Sequence, residues 1–272
     1  MDTKHQDLIR STLASWNEAA PVHARVNAEL RQQVQRPGFN NLNAGLHALL
    51  QKEALEGKSV LQLCCNNGID LLSVKKMGAG QCTGIDGAAN FVEQAQELAA
   101  LAGHPDMQFY CYNVYAIPET LTQRFDFLIV TVGVLNWMPD LPGFMAVCHR
   151  FLKSGGKLFI EDIHPLLNMY DETEAGPLLQ YSYFNRAPFE DTSGLDYFTG
   201  EAYEATPNYW FQHTLADILQ AALGQQLQLC WFEEVAENIG NYCAELQHVP
   251  ANPPLGFVAS WQKHEQTGEC DD

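Results

Sequence analysis

The clearest pattern in the first third of this chain is a set of short apolar runs separated by polar turns. Ser59–Leu63 is apolar and contains a β-branched valine, which is typical of a buried strand. The polar turn Cys64–Gly68 follows, and the next piece has helical spacing up to Gly78–Gly80. Gln81–Ile85 predicts a second strand that finishes on Asp86. The stretch therefore predicts a strand–turn–helix–strand unit of a parallel sheet.

The same alternation continues downstream. Further strands are predicted at Met107–Cys111, Phe125–Val132, Lys157–Glu161, Leu227–Phe232 and Gly256–Trp261, and helices at Leu42–Leu55, Ala89–Ala102, Leu141–Leu152 and from Thr214 to Gly224. The run Phe125–Val132 is almost continuously apolar, as expected for a strand covered on both faces. Strands that alternate with helices predict an α/β fold.

The remaining segments flank this core. Residues 1–57 have helical amphipathic spacing, and Trp16 is either a core residue or part of a lid over a pocket. Residues 166–211 lack a period but are rich in aromatic side chains, which predicts a packed cap over the carboxyl edge of the sheet. The predicted division is a helical segment at 1–57, a core at 58–165 and 212–262, a cap at 166–211 and a tail at 263–272.

The turn after the first strand indicates a ligand site. It lies at the carboxyl end of a parallel sheet, where ligands of open α/β folds bind. Gly68 permits close backbone approach, and the helix start favours an anionic group. Asp86 is placed to accept hydrogen bonds from two ribose hydroxyls, or alternatively to cap the following helix.

Composition narrows the class of partner. The 272 residues carry a formal net charge of −18, which argues against nucleic acid and anionic membranes as partners. The apolar runs are too short for a membrane span and the N-terminus lacks the apolar region of a signal peptide, so we expect a cytoplasmic protein. The eight cysteines form no C-x-x-C pair and the nine histidines lack ligand spacing, so no metal site is expected.

Taken together, these motifs resemble those of class I S-adenosylmethionine-dependent methyltransferases. The resemblance covers roughly Gly57 to Trp261, and it rests on the strand–turn–helix–strand unit and on the sequences FDFLIVTVGVLNW and LKSGGKLFIEDIHP. It implies a Rossmann-like, doubly wound sheet of seven strands in the order 3-2-1-4-5-7-6. The last strand would be antiparallel, with an N-terminal helical segment and a cap-like insertion after strand 5.

The glycine-rich turn departs from the common form of that family. Gln62 stands where the family usually has an acidic residue, so the cofactor's ammonium group loses a possible carboxylate partner. Cys64 and Asn66 stand at two glycine positions, and Gly68 alone is kept. Asn66 and Asn67 are residue types that tolerate the left-handed backbone conformation, so the variant turn is expected to bind cofactor.

The resemblance also implies individual contacts. Cys64, Cys65, Asn66, Asn67 and Gly68 would face the methionine part of the cofactor, Asp86 the ribose, Gly87 and Ala88 the adenosine, Asn113 and Val114 the adenine, and Thr131, Gly133 and Val134 the region of the sulfonium. For Asn113 the alternative is a plain turn residue.

The methyl acceptor is expected beyond the carboxyl ends of the fourth and fifth strands. Candidate contacts are Trp16, Asn136, Trp137, Tyr183 and Tyr209, with Glu161 and Asp162 nearby. His164 is the first candidate for a general base because imidazole titrates near neutral pH, and His213 is a weaker one. Tyr115 and Asp162 remain alternatives, as does catalysis by proximity without a base.

The function implied is methyl transfer from S-adenosylmethionine to a small molecule by in-line displacement, without a metal. One alternative is an NAD(P)-dependent oxidoreductase, against which the absent G-x-G-x-x-G pattern counts. The other is a non-catalytic cofactor-binding or interaction protein. The sequence does not identify the acceptor, and it leaves open whether the protein is a monomer or a homodimer.

Overall fold

The structure is a computed structural model that describes residues 3–196 and 203–264. Six residues of the predicted cap, 197–202, and nearly all of the predicted tail lie outside the described residues. Within the described ranges, no helix is long and apolar enough to cross a membrane.

The described chain alternates helices and strands along most of its length. The helices are α1 Thr3–Val26, α2 Leu30–Gln33, α3 Ala44–Gln51, α4 Ile69–Lys76, α5 Ala89–Leu101, α6 Leu141–Phe151 and α7 Leu215–Gly224. The strands are β1 Val60–Leu63, β2 Cys82–Asp86, β3 Gln108–Cys111, β4 Phe125–Val130, β5 Leu152–Ile163, β6 Tyr170–Thr173, β7 Gly176–Leu179, β8 Phe189–Asp191, β9 Asn208–Trp210, β10 Leu227–Val235 and β11 Gly256–Lys263.

Seven of these strands form one central sheet in the order β10-β11-β5-β4-β1-β2-β3. β1 pairs in parallel with β2 and β4, and β2 with β3 and β4 with β5 pair in the same way. β11 is antiparallel to both of its neighbours, β5 and β10. Because β10 and β11 are the sixth and seventh core strands, the predicted order 3-2-1-4-5-7-6 is confirmed.

Helices cover both faces of the sheet. The alternation of side chains along β1 sends Leu61 into a core with α6 and α7, and Val60 into a second core with α3, α4 and α5. All four residues of β1 are buried, which explains its continuous apolar character. Gln62, two residues after Val60, is the polar exception on the α3–α5 face.

The fifth strand differs from its prediction at both ends. The predicted turn Lys153–Gly156 is part of β5, whose pairing with β4 shifts there and resumes at Lys157. At the other end β5 continues to Ile163, because β11 pairs with it as far as Gly256. Asp162 therefore lies inside the strand rather than after it.

The aromatic insertion forms two short hairpins, β6–β7 and β8–β9, where the sequence showed no period. Phe189 stacks on Trp210 across the second hairpin, with ring centroids 3.9 Å apart. α1 runs beside this hairpin, since the Tyr209 backbone N–H donates to Thr12 Oγ1 over 2.9 Å. At its N-terminal end α7 has the predicted capping box of Thr214 and Asp217.

Gly84 in β2 offers a test of this packing. A Cβ at this position would lie 2.6 Å from Phe109 Cδ1 and 2.8 Å from Cys65 Sγ. We expect Gly84→Ala to lower the free energy of unfolding by about 1–3 kcal/mol, because it overpacks a closed layer. Urea unfolding with linear extrapolation measures this change.

The matched control is Gly224→Ala, whose added Cβ would meet no heavy atom within 4 Å. Its unfolding midpoint should remain within a few tenths of a molar of wild type. Equal midpoints for the two variants would contradict the packing described for β2.

Candidate functional site

The turn after β1 has left-handed backbone geometry at every second residue. The φ angles are 54° at Cys64, 48° at Asn66 and 74° at Gly68. The prediction for Asn66 is confirmed, whereas Cys64 rather than Asn67 adopts the second left-handed conformation. A non-glycine residue in this region costs about 1–2 kcal/mol. The turn is thus left-handed at the three positions where the family it resembles usually has glycine, with only one glycine present.

Asp86 at the end of β2 holds this turn in place. Its Oδ2 accepts from the Asn66 N–H over 2.8 Å, and its Oδ1 accepts from the Ala88 N–H over 2.8 Å. Burial raises the pKa of Asp86. The bond to Ala88, the residue before α5, agrees with the capping alternative; each carboxylate oxygen retains a second lone pair for a ligand.

The region predicted for adenosine lies beneath α1. A Cβ on Gly87 would be 2.5 Å from Leu13 Cδ2, so the helix contacts this turn directly. Asn17 Oδ1 accepts from the Asn90 N–H over 2.9 Å, which fixes α1 to the start of α5. Ala88, between these contacts, is buried.

Asn113 and Val114 follow β3 at the carboxyl edge of the sheet, the edge at which the turn after β1 also lies. Asn113 Oδ1 accepts from the Tyr115 N–H over 3.0 Å and caps a short 3₁₀ turn, as the turn alternative expects. Val114 is buried in the core. The adenine contacts of both residues stay predictions.

The loop after β4 is held by a carboxylate of the neighbouring strand. Asp162 is 1% exposed, and its oxygens accept from the backbone N–H groups of Gly133 at 2.7 Å and Leu135 at 2.9 Å. Burial raises the pKa of Asp162 to about 6. The Asp162 carboxylate thus holds the backbone of the loop that contains Val134, and its place beside the acceptor stays a prediction.

A polar pocket lies at the ends of β1 and β4, beside the start of α4. Gln62 Nε2 donates to Thr131 Oγ1 over 3.1 Å, and Asp70 lies within hydrogen-bonding reach of both side chains. Asn41 Nδ2 donates to Asp70 Oδ1 over 2.7 Å. Asp70 was not predicted from the sequence; the available signal was a carboxylate two residues after Gly68, in the first turn of a helix.

Glu161 connects β5 to the N-terminal segment. Its Oε1 accepts from the Leu46 N–H and its Oε2 from Asn43 Nδ2, both over 3.0 Å. Glu161 thus satisfies the first turn of α3, and burial raises the pKa of its carboxyl.

Two predicted acceptor residues do meet. The rings of Trp16 and Trp137 lie edge to face with centroids 5.3 Å apart, and Phe91 contacts Trp16 from another side at 6.1 Å. Asn136 is tied to the insertion, since its amide exchanges hydrogen bonds with Asn168 and its carbonyl accepts from the Phe211 N–H over 2.7 Å.

The two predicted tyrosines are placed differently. The Tyr183 hydroxyl accepts from the Leu215 N–H over 2.8 Å at the start of α7. The Tyr209 side chain lies beside Glu190 on the paired strand, while its backbone contacts α1. Their roles in acceptor binding stay predictions.

The side chains of the two candidate bases contact backbone groups of neighbouring segments. His164 Nδ1 accepts from the Leu166 N–H over 3.1 Å, and its Nε2 lies 2.9 Å from Glu234 Oε1 but off the direction of a hydrogen bond. Burial lowers the pKa of His164. His213 Nε2 donates to the Met138 carbonyl over 2.8 Å. A base role for either residue stays a prediction.

Known proteins resemble this chain mainly through its core. Residues 60–156 match a family model described as a methyltransferase domain. A ubiquinone biosynthesis O-methyltransferase of Paracidovorax citrulli is 34% identical over 40% of this chain and 45% of its own length. A 2-phytyl-1,4-naphtoquinone methyltransferase of Nostoc sp. is 30% identical over 56% of this chain and 64% of its own length. The matched stretch spans 45% and 64% of the length of these two curated relatives, which is less than two thirds in each case.

Solved structures share the fold at lower identity. An S-adenosylmethionine-dependent methyltransferase from Mesorhizobium loti superposes with a TM-score of 0.58 at 15% identity, over 81% of this chain and 99% of that chain. The resemblance predicted from the sequence is thus confirmed by the fold and by the family model.

Asp162 predicts a defined pH dependence of stability. The pKa of its carboxyl is 3.8 ordinarily and about 6 in the native protein, so the native state binds more protons between these values. Its contribution to the free energy of unfolding is therefore full below about pH 4 and lost as the pH rises through about 6. We expect the difference between wild type and Asp162→Asn to fall by roughly 3 kcal/mol over that range, measured by urea unfolding.

Asp106→Asn is the control, because the hydrogen bond from Lys75 lowers the pKa of the exposed Asp106 carboxyl. The corresponding difference should change with the opposite sign, and by less. A difference for Asp162 that stays constant from pH 4 to pH 7 would refute the assignment.

Proposed function

We propose that this chain, which carries a methyltransferase domain of the class I S-adenosylmethionine-dependent type, transfers a methyl group from S-adenosylmethionine to a small-molecule acceptor. The observation that carries the proposal is the turn after β1. Its left-handed geometry at Cys64, Asn66 and Gly68 is kept without two of the usual glycines. Strain of this kind persists where a site requires the shape.

The residues present fit the cofactor. The turn Cys64–Gly68 offers backbone groups to the amino-acid end, and Asp86 stands at the strand end where a ribose-binding carboxylate is expected. Gln62 Oε1 is buried and has no hydrogen-bond partner in the part of the chain that the structure describes, which is unusual for a buried polar atom and agrees with a donor supplied by a ligand. When bound, the cofactor supplies an electrophilic methyl group, and the protein contributes alignment and exclusion of water.

The acceptor is proposed to be a small hydroxylated aromatic compound that is methylated on oxygen. The edge-to-face pair of Trp16 and Trp137 supports an aromatic acceptor, since it joins the loop after β4 to the covering helix. The curated relatives that methylate oxygen in ubiquinone biosynthesis support the same chemistry. In this proposal residues 1–57 act as a lid and residues 166–211 as a cap.

The family model ends before the cap and begins after the lid, because it covers residues 60–156. In this proposal the choice of acceptor therefore rests on the lid and the cap, which lie outside the residues matched by the family model. The absence of nucleic-acid and membrane partners, the cytoplasmic location and a monomeric or dimeric state remain proposals from composition.

Calorimetric titration tests the cofactor. We expect wild type to bind S-adenosylmethionine and S-adenosylhomocysteine with micromolar dissociation constants and not to bind NADH. Asp86→Ala should weaken both interactions at least tenfold, because it removes the ribose acceptor and releases the Asn66 N–H. Asp106→Ala, an exposed substitution on the far side of α4, serves as the control. Binding of NADH alone would instead support the oxidoreductase alternative.

Turnover is then measured as formation of S-adenosylhomocysteine with a panel of small phenols and catechols. Product with any member supports the enzyme. Tight cofactor binding with no turnover across phenols, amines and thiols would favour the non-catalytic alternative.

A further inference from the structure

The polar pocket of Gln62, Asp70 and Thr131 has unused acceptors. Gln62 is 1% exposed, and its Oε1 has no hydrogen-bond partner among residues 3–196 and 203–264, while its Nε2 donates to Thr131 Oγ1. Asp70 brings a carboxylate to the same place and is donated one bond by Asn41. A buried acceptor without a donor costs about 1–3 kcal/mol. The pocket therefore lacks a group that can donate several hydrogen bonds.

We propose that Asp70 and the amide oxygen of Gln62 bind the ammonium group of the cofactor's amino-acid end. This inference rests on the proposed function and deepens it. The carboxylate expected in strand β1 is absent because Gln62 occupies its position, and α4 supplies a carboxylate from eight residues further along the chain instead.

The charges around the pocket favour a cation. Burial raises the pKa of Asp70 although Asn41, Thr131 and Gln62 lie within hydrogen-bonding reach of its carboxylate, so the site disfavours the bare carboxylate. The carboxylate of Glu161 lies close enough to add to the negative potential. An ammonium group would offset this cost, because it brings both a positive charge and three donors.

The lysines of the same helix do not fill this role. Lys75 Nζ donates to the Gly80 carbonyl at 2.6 Å and to Asp106 at 2.7 Å. Lys76 Nζ donates to the carbonyls of Val34 and Arg36, both at 2.7 Å. Both side chains are thus engaged at the other end of α4, and neither brings a positive charge to the pocket.

The chemistry also favours an ammonium over a metal ion. No group of three or more His, Cys, Asp or Glu side chains in residues 3–196 and 203–264 is placed to hold a metal. One carboxylate and one amide oxygen suit the three donors of an ammonium group. The adjacent start of α4 favours the carboxylate that accompanies this group in an amino acid.

The test compares two ligands that differ in this group. S-Adenosylhomocysteine carries the amino-acid end, whereas 5′-methylthioadenosine lacks it and keeps the adenosine. We expect Asp70→Asn to raise the dissociation constant of S-adenosylhomocysteine at least tenfold and to leave that of 5′-methylthioadenosine unchanged within twofold, by calorimetry on the full chain.

A rescue variant separates charge from structure. The double variant Gln62→Glu, Asp70→Asn returns a carboxylate to β1, and we expect it to regain most of the affinity for S-adenosylhomocysteine. Urea unfolding of each variant confirms that the fold is intact before titration. Recovery would support an ionic contact, because a purely structural role of Asp70 would not be restored from another element.

The outcomes are distinct. Equal loss of affinity for both ligands in Asp70→Asn, or no loss for S-adenosylhomocysteine, overturns the role of Asp70 while leaving the methyltransferase proposal in place. If wild type binds neither ligand, the proposed function itself fails, and the assignment of the ammonium pocket falls with it.

Discussion

The carboxyl edge of the sheet depends on carboxylates that accept hydrogen bonds from backbone N–H groups. Asp86 fixes the turn after β1 through Asn66, and Asp162 fixes the loop after β4 through Gly133 and Leu135. In both cases the aspartate belongs to the strand beside the loop that it holds. Each carboxylate thus links two neighbouring strands at the point where their loops leave the sheet.

This arrangement is costly without a ligand. Burial raises the pKa of Asp70, Asp86, Glu161 and Asp162, because desolvation at this edge disfavours the charged form of each carboxyl group. Left-handed conformations at Cys64 and Asn66 add strain in the same region. Under the proposed function, the sulfonium and ammonium groups of the cofactor would offset the desolvation and the backbone strain when the cofactor binds.

The segments that enclose this edge, α1 and the insertion, come from parts of the sequence outside the core. α1 contacts Gly87 through Leu13 and the insertion through Thr12, and so joins the core to the cap. Neither α1 nor the insertion lies within the residues matched by the family model. The proposed cofactor site therefore lies in the core, and under the proposed function the covering segments are where acceptor preference would be set.

The sequence alone was sufficient for the central sheet. Apolar runs and turn residues are local signals that locate the strands, and the order of the strands was what the resemblance to class I methyltransferases implied. The position of Asp86 at a strand end and the capping box at Thr214 follow from the same local rules. The left-handed conformation of Asn66 could also be predicted, because its residue type tolerates that conformation.

Tertiary structure decided the features that depend on neighbours distant in sequence. β5 extends to Ile163 because β11 pairs with it, and this places Asp162 in the strand with its carboxylate on another loop. The partners of His164 and the approach of Asp70 to Gln62 likewise come from elements that the sequence pattern does not connect. Periodicity reports which face of an element is apolar, but not which polar group a folded neighbour will bring to it.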